Sequence, residues 1–246
     1  MSIFFEMHKD MPREGPGDNA STRRAFEMIT GLPDNPDILD IGCGPGMQTI
    51  ELAHLCNGKI TAIDNHQPFL DTLNVSITKE GLSDRIQTMN KSMIDMDFEE
   101  SSFDLIWSEG AIFIIGFEQG LQQWRRFLKP HGFIAITDCC WLKDNPPAEL
   151  IEFWDKYDPE MLDNEQKRSI IRKSGYSEVG HFILPESAWW QGYYNPVLKR
   201  IEILKQEYAG DGDAQDELDM TLEEVEMYRK YAEYYGYVFY IMQKTD

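Results

Sequence analysis

Short apolar runs alternate with amphipathic segments along most of the chain. Runs of the kind that form buried strands lie near residues 36–41, 59–63, 86–90, 103–107, 132–138, 178–184 and 236–243. Apolar residues at helical spacing predict helices near 21–32, 46–56, 67–80, 117–128 and 147–174, the last of them broken. This alternation favours a parallel sheet with crossover helices on both faces. The predicted fold class is therefore α/β, a three-layer sandwich built on a seven-stranded sheet.

Both ends of the chain depart from this alternation. The first 20 residues are polar and rich in glycine and proline, which predicts a loosely held arm. Residues 185–235 contain most of the tyrosines, and Thr221 and Glu224 are spaced as a capping box for a helix. An insertion of this length predicts a lid or a dimer surface, and the sequence leaves both open. We predict one domain with four parts: an N-terminal arm and helix (1–35), a core (36–184), a helical insertion (185–235) and a last strand (236–246).

The balance of charge limits the partners. The formal net charge is −20 over 246 residues. Nucleic-acid binding depends on Lys and Arg side chains that neutralise phosphates, so this charge disfavours nucleic acid as a partner. The same field favours neutral or cationic small molecules.

The sequence shows no targeting segment and no metal-binding spacing. The N-terminus lacks the basic start and apolar stretch of a signal peptide, and no run approaches the roughly 18 apolar residues of a membrane span. Cys43, Cys56, Cys139 and Cys140 are interpreted as reduced thiols. These observations predict a cytoplasmic protein with no membrane partner and no metal site.

A glycine-rich turn joins the first predicted strand to the helix that follows it. Residues 40–46 read Asp-Ile-Gly-Cys-Gly-Pro-Gly. Glycines at such a turn let a ligand approach the bare backbone. Asp64 ends the next apolar run about 20 residues after the middle glycine, where a carboxylate can accept hydrogen bonds from both hydroxyls of a ribose. The turn and Asp64 together predict a nucleoside pocket.

The spacing of the glycines indicates which nucleoside. A dinucleotide fingerprint reads G-x-G-x-x-G, whereas this chain reads G-x-G-x-G and has Asp40 two residues before the first glycine. A negative charge here opposes a pyrophosphate at the helix N-terminus and favours a cationic group. S-adenosylmethionine carries an adenosine, an ammonium and a sulfonium, and it fits these requirements. The alternatives are a glycine turn without a ligand and a nicotinamide-dependent oxidoreductase.

Four segments in order resemble a known family. Ile38–Gly46 is similar to the first motif of the class I S-adenosylmethionine-dependent methyltransferases, and Asp64 to the acidic residue that ends their second strand. Phe103–Trp107 matches their fourth strand, and Leu128–Phe133 the turn into their fifth. The resemblance covers residues 30–140 and is strongest to the small-molecule branch that includes ubiquinone/menaquinone-type enzymes. It implies an antiparallel last strand and in-line transfer of a methyl group to a small molecule.

The resemblance also implies a set of site residues. The candidate cofactor-binding residues are Asp40, Gly42, Cys43, Gly44, Gly46, Gln48, Asp64, Asn65, Ser92, Met93 and Ser108. Many relatives have an aspartate where this chain has Ser92, whose hydroxyl can make the same bond to adenine more weakly.

The acceptor side is less defined. Glu109 is the candidate general base or anchor for a cationic substrate, or else a helix-capping residue. The aromatic candidates for the acceptor wall are Trp107, Trp141, Trp190 and Tyr194, with Trp189 and Tyr193 beside them, and a core role is the alternative for each. The identity of the acceptor and the atom methylated are not predicted. A module that binds S-adenosylmethionine without turnover is a second function hypothesis, and a homodimer is a possible assembly.

Overall fold

The computed structural model describes residues 3–158 and 161–245. Its centre is a seven-stranded sheet in the order β3-β2-β1-β4-β5-β7-β6. The strands are β1 Asp37–Ile41, β2 Lys59–Asp64, β3 Ile86–Asn90, β4 Phe103–Glu109, β5 Leu128–Trp141, β6 Tyr176–Ile183 and β7 Tyr235–Lys244. Pairings among β1 to β5 are parallel, and β7 lies antiparallel between β5 and β6. The predicted mostly parallel sheet with an antiparallel last strand is confirmed.

Ten helices flank the sheet among the described residues. They are α1 Ile3–His8, α2 Asn19–Glu27, α3 Met47–Leu55, α4 Gln67–Lys79, α5 Phe117–Trp124, α6 Ala148–Tyr157, α7 Asn164–Lys173, α8 Glu186–Trp189, α9 Asn195–Glu207 and α10 Gly212–Tyr231. The helix predicted over 147–174 as broken is two helices, and the capping box of Asp163 and Gln166 starts the second. Asp18 caps α2 in the same manner by accepting a hydrogen bond from the Ser21 amide, so α2 begins earlier than predicted.

Strand β7 shows why the domain has three layers. Phe239 and Ile241 belong to the apolar cluster on one face of the sheet, whereas Val238, Tyr240 and Met242 belong to the cluster on the other. Side chains alternate across a strand, so a strand that is apolar at every position is covered on both faces. The sheet is therefore enclosed between two helical layers.

A third apolar cluster joins the N-terminal arm to the insertion. Helix α1 packs against α9 and α10, and Met7 is 2% exposed within this cluster. The ring nitrogen Nε2 of His8 is hydrogen-bonded to the Tyr193 hydroxyl at 3.1 Å. The prediction of a loosely held arm is thus wrong for its described part, because apolar side chains scattered among polar ones find a common partner in the insertion.

The insertion is helical throughout. It consists of α8, a π-helical turn over Trp190–Tyr194, α9 and α10. Within the described ranges no helix has the length and apolar character needed to cross a lipid bilayer.

Candidate functional site

A cavity of about 510 Å³ opens at the carboxyl ends of the parallel strands. This edge of an α/β sheet is where ligands bind in such folds. Loops after β1, β2, β3 and β4 form its floor, and the N-terminal arm and the insertion cover it. The floor residues are Gly42–Pro45, Ile63–His66, Lys91–Ile94 and Glu109–Ala111.

The glycine loop presents bare backbone to the cavity. Gly42 and Gly44 have left-handed φ angles of 69° and 51°. A Cβ atom on Gly44 would lie 2.6 Å from Oε1 of Glu14, so the arm approaches this loop more closely than a side chain would permit. The amides of Gly42 and Cys43 both donate to the Ile63 carbonyl at 2.9 Å, which ties the loop to the end of β2. The loop therefore presents bare backbone to the cavity, and its contact with a cofactor stays a prediction.

Gly46 has a different task from the one predicted. Its φ is 90°, and a Cβ would lie 2.2 Å from Cδ1 of Leu73 on α4. It does not line the cavity. Gly46 therefore allows α3 to start close against α4, and the prediction that it contacts a cofactor is not supported by its position.

Asp64 stands at the end of β2 and lines the cavity. Its carboxylate accepts hydrogen bonds from the backbone amides of Gly44 at 3.0 Å and His66 at 2.8 Å. These two amides fix the orientation of the carboxylate. Asn65, Ser92 and Met93 also line the cavity, and their contact with a cofactor stays a prediction.

Asp40 lies below the glycine loop and is fully buried. Its carboxylate accepts a hydrogen bond from the Thr49 hydroxyl at 2.6 Å, and burial raises its pKa to about 7. Asp40 does not line the cavity, whereas Gln48 does and donates its amide to the Cys43 carbonyl at 3.0 Å. Asp40 thus supports the loop from beneath, which corrects the predicted direct contact.

Ser108 and Trp107 are also structural in position. Ser108 is fully buried and donates to the Ile41 carbonyl at 2.9 Å, linking β4 to β1. Trp107 is fully buried in the core and packs edge-on against Phe239. Neither side chain lines the cavity, so the predicted contacts with cofactor and acceptor are corrected for both.

Glu109 lines the cavity, but three donors hold its carboxylate. Arg13 donates from Nη1 at 2.6 Å, the Thr22 hydroxyl at 2.7 Å and Trp107 from Nε1 at 2.8 Å. The side chains of Arg13 and Glu109 are 5% and 2% exposed. This buried ion pair fastens the N-terminal arm to β4, which disfavours both a general base and an anchor for a cationic substrate at Glu109.

The predicted aromatic residues of the acceptor wall lie outside the cavity. Tyr194 is fully buried and donates its hydroxyl to Glu224 at 2.8 Å. Trp190 packs against Tyr194, and Trp141 pairs with β7 in the sheet. The residues adjacent to two of them in the sequence, Trp189 and Tyr193, do line the cavity. Helical periodicity does not reveal a π-helical turn such as Trp190–Tyr194, and the sequence did not distinguish these neighbouring aromatic residues.

Sequence reasoning missed the contribution of the N-terminal arm. Phe5 stacks on His66 with ring centroids 3.7 Å apart, and both line the cavity. Glu14 also lines it, and burial together with the nearby Asp64 raises the pKa of Glu14 to about 8. The available signal was the Gly15-Pro16-Gly17 run. Its backbone lies so close to the insertion that a Cβ on Gly192 would be 2.4 Å from the Gly17 carbonyl oxygen.

The charges around the loop suit a cationic ligand. Glu14 and Asp64 face the cavity as carboxyl groups. The Arg and Lys side chains among its described lining are Arg13 and Lys91, and these are paired with Glu109 and Asp97. A diphosphate would meet two carboxyl groups and no unpaired Lys or Arg side chain of the described lining, which disfavours a dinucleotide. Bare backbone, Asp64 and this charge fit S-adenosylmethionine.

Within residues 3–158 and 161–245, no group of three His, Cys, Asp or Glu side chains could hold a metal ion.

Comparisons with known proteins agree with this geometry. Residues 38–132 match a family model described as a methyltransferase domain. A sterol 24-C-methyltransferase of Gibberella zeae is 26% identical over 162 residues, covering 61% of this chain and 42% of that protein. Phosphoethanolamine N-methyltransferase 1 of Arabidopsis thaliana is 23% identical over 204 residues, covering 81% of this chain and 40% of that protein. The chain thus spans less than half the length of these two relatives.

A solved structure extends the match to the whole chain. An S-adenosylmethionine-dependent methyltransferase from Geobacter sulfurreducens, in complex with S-adenosyl-L-homocysteine, superposes with a TM-score of 0.83 at 18% identity. The alignment covers 99% of this chain and 98% of that one. At this identity the match establishes the fold alone.

Proposed function

We propose that the chain is a methyltransferase that uses S-adenosylmethionine and a small-molecule acceptor, because residues 38–132 match a methyltransferase-domain family model and the whole chain shares its fold with a solved S-adenosylmethionine-dependent methyltransferase. The observation that carries the proposal is the meeting of the bare loop at Gly42 and Gly44 with Asp64 in one cavity. The carboxylates there match the positive charge of this cofactor and oppose a diphosphate.

Each part of the cavity would hold one part of the cofactor. The Asp64 carboxylate accepts hydrogen bonds from the ribose hydroxyls, and Asn65 lies beside it. Ser92 and Met93 receive the adenine, where the thioether of Met93 packs on a ring edge. The loop of Gly42 and Gly44 receives the methionine end. Cys43 and Gln48 belong to this end, whereas Asp40, Gly46 and Ser108 act indirectly by shaping the loop.

Glu14 adds a contact from the arm. Its carboxyl group is half-buried, faces Asp64 across the loop and lies against Gly44. A positive charge bound here favours the ionised carboxylate, so cofactor binding would draw the proton from Glu14. The arm therefore closes over the cofactor with an acidic side chain.

The chemistry makes small demands on the protein. S-adenosylmethionine supplies an electrophilic methyl group on a sulfonium, which leaves as a neutral thioether. What the residues must do is hold the acceptor in line and exclude water, because alignment alone supplies much of the rate. This agrees with the three donors on Glu109, since an anchored carboxylate is compatible with a reaction that has no obligatory base.

We also propose that the insertion is a lid. Trp189, Tyr193 and Glu224 reach the cavity from it, so it forms part of the site itself. A dimer surface is the alternative that this placement disfavours. Sterols and phosphoethanolamine, named by the relatives, indicate a small-molecule acceptor. The finer ubiquinone/menaquinone-type branch and the cytoplasmic location stay predictions.

The test is turnover. The purified chain is incubated with methyl-labelled S-adenosylmethionine and a metabolite extract, and labelled products and S-adenosylhomocysteine are measured together. We expect stoichiometric release of S-adenosylhomocysteine and a labelled small molecule. Binding of the cofactor without release in any extract would favour the regulatory module. Binding of a nicotinamide dinucleotide in its place would contradict the proposal.

A further inference from the structure

Part of the cavity lies away from the glycine loop and has a composition of its own. We define the acceptor chamber by six lining residues from β5, α6, the insertion and β7: Asp138, Trp154, Trp189, Tyr193, Glu224 and Tyr237. Four of the six are aromatic. Aromatic faces attract cations through the negative charge of the ring face, most strongly when water is excluded.

Glu224 is the acidic residue of this chamber that has no cationic partner among the described residues. It projects from α10, and its carboxylate accepts a hydrogen bond from the Tyr194 hydroxyl at 2.8 Å. Burial raises the pKa of Glu224, and none of the described ion pairs includes it. A carboxylate held in an aromatic setting gains most from a cationic ligand.

The other charges of the chamber point in the same direction. The ammonium of Lys167 is hydrogen-bonded to the Asp138 carboxylate and the Cys139 carbonyl, so the cation is already committed. Asp158 adds a further carboxylate to the cavity lining. An anionic acceptor, such as a phosphate ester or a carboxylate, would meet these acids, and the described lining offers no unpaired Lys or Arg side chain to hold it.

Trp154 carries an unpaired polar group in the wall of the chamber. Its indole Nε1 is buried and has no hydrogen-bond partner among the described residues, although the residue lines the cavity. A buried indole N–H without an acceptor costs free energy.

From this composition we propose that the acceptor is an amine on a largely apolar body, bound in the acceptor chamber with its nitrogen facing Glu224. The inference rests on the proposed methyltransferase function and names its substrate class. The amine binds as an ammonium ion and gives one proton to the Glu224 carboxylate. Its lone pair then forms the N–C bond to the methyl group while the C–S bond breaks, and that electron pair goes to sulfur, leaving the thioether.

The first experiment measures binding and requires no turnover. Protein saturated with S-adenosylhomocysteine is titrated by calorimetry with phenethyltrimethylammonium and with its neutral carbon isostere, in which carbon replaces the quaternary nitrogen. We expect at least tenfold tighter binding of the cation. Equal binding of the two compounds would overturn the inference.

Glu224→Gln removes the charge and keeps the shape of the side chain. We expect it to abolish most of the preference for the cation and to leave the affinity for S-adenosylhomocysteine unchanged. Glu226→Gln is the matched control, because Glu226 is exposed on the same helix and paired with Arg229. If Glu224→Gln retains the full preference, the role given to Glu224 is wrong. The thermal midpoint with S-adenosylhomocysteine shows whether the variant is folded.

A second experiment separates this inference from the proposed function. The amine, alcohol, thiol and carboxylic acid that share one phenylalkyl skeleton are offered with labelled S-adenosylmethionine. Methylation of the amine alone supports the inference. Methylation of the alcohol, thiol or acid in preference to the amine overturns it and leaves the methyltransferase function standing. Failure to bind the cofactor at all would instead overturn the proposed function.

Discussion

At the scale of single residues, the site depends on two carboxyl groups that face one glycine loop. Asp64 is oriented by the amides of Gly44 and His66, whereas Glu14 reaches the loop from the arm. The first is fixed by the end of a strand, and the second by tertiary packing of the arm. Their roles in binding therefore predict different responses to substitution and to pH.

Asp64→Asn keeps one acceptor oxygen but loses the charge and half of the acceptor capacity. Hydrogen bonds to a charged group contribute about 1.5–3 kcal/mol, so we expect S-adenosylmethionine to bind roughly 10- to 100-fold more weakly. Calorimetric titration measures this change. Asp71→Asn, at an exposed position on α4, is the control that should leave the affinity unchanged. Unaltered affinity in Asp64→Asn would remove the ribose contact from the proposal.

We predict that the Glu14 carboxyl group releases a proton when the cofactor binds. With a pKa of about 8 the side chain is mostly protonated at pH 7, and a bound cation favours its ionised form. Titrations at pH 7 in buffers of different ionisation enthalpy should show up to about one proton released. Glu14→Gln should release fewer, with weaker binding. The same release from both proteins would show that Glu14 does not sense the cofactor.

At the scale of elements, the arm and the insertion close the cavity, and the Arg13–Glu109 pair holds the arm in place. Breaking one partner of a buried pair leaves a buried charge and costs about 3–5 kcal/mol. For a chain of this size that lowers the thermal midpoint by roughly 10 °C.

Glu109→Gln therefore distinguishes an anchor from a general base. We expect a lower thermal midpoint and faster proteolysis of the arm, with any loss of turnover accompanied by weaker cofactor binding. The measurements are thermal unfolding, limited proteolysis and kcat against KM. Glu118→Gln, exposed on α5, is the comparison. A large fall in kcat with an unchanged midpoint would restore Glu109 as a base.

The elements of the core were predictable because each is encoded locally. The apolar runs of β1, β2 and β4, the glycine turn and Asp64 lie where periodicity and spacing indicate them. The choice between Trp189 and Trp190 was not predictable, since tertiary packing decides which of two adjacent rings lines the cavity. Arm residues such as Phe5 and Glu14 enter the site only through contacts with distant segments, which carry no local pattern.

At the scale of the whole molecule, acids that are protonated inside the fold make the net charge less negative than the formal −20. Burial raises the pKa of Glu14 to about 8 and of Asp40 to about 7. The folded state therefore binds more protons than the unfolded state between about pH 4.5 and pH 8. Stability from these groups is complete below their unfolded pKa values and declines as the pH rises through the folded ones.

The cofactor-free protein should consequently lose thermal stability between pH 5 and pH 9. Calorimetric scans across this interval measure the midpoint. Glu14→Gln should flatten the slope, because a neutral amide no longer titrates. A midpoint that rises over the same interval would contradict the burial of these acids.

The claim on which the rest depends is that this cavity binds S-adenosylmethionine. Isothermal titration of the purified chain with S-adenosylmethionine, with a nicotinamide dinucleotide as the competing ligand, tests it most directly. We expect saturable binding of one S-adenosylmethionine per chain and no heat from the dinucleotide. Saturable binding of the dinucleotide, with none of S-adenosylmethionine, would contradict the claim.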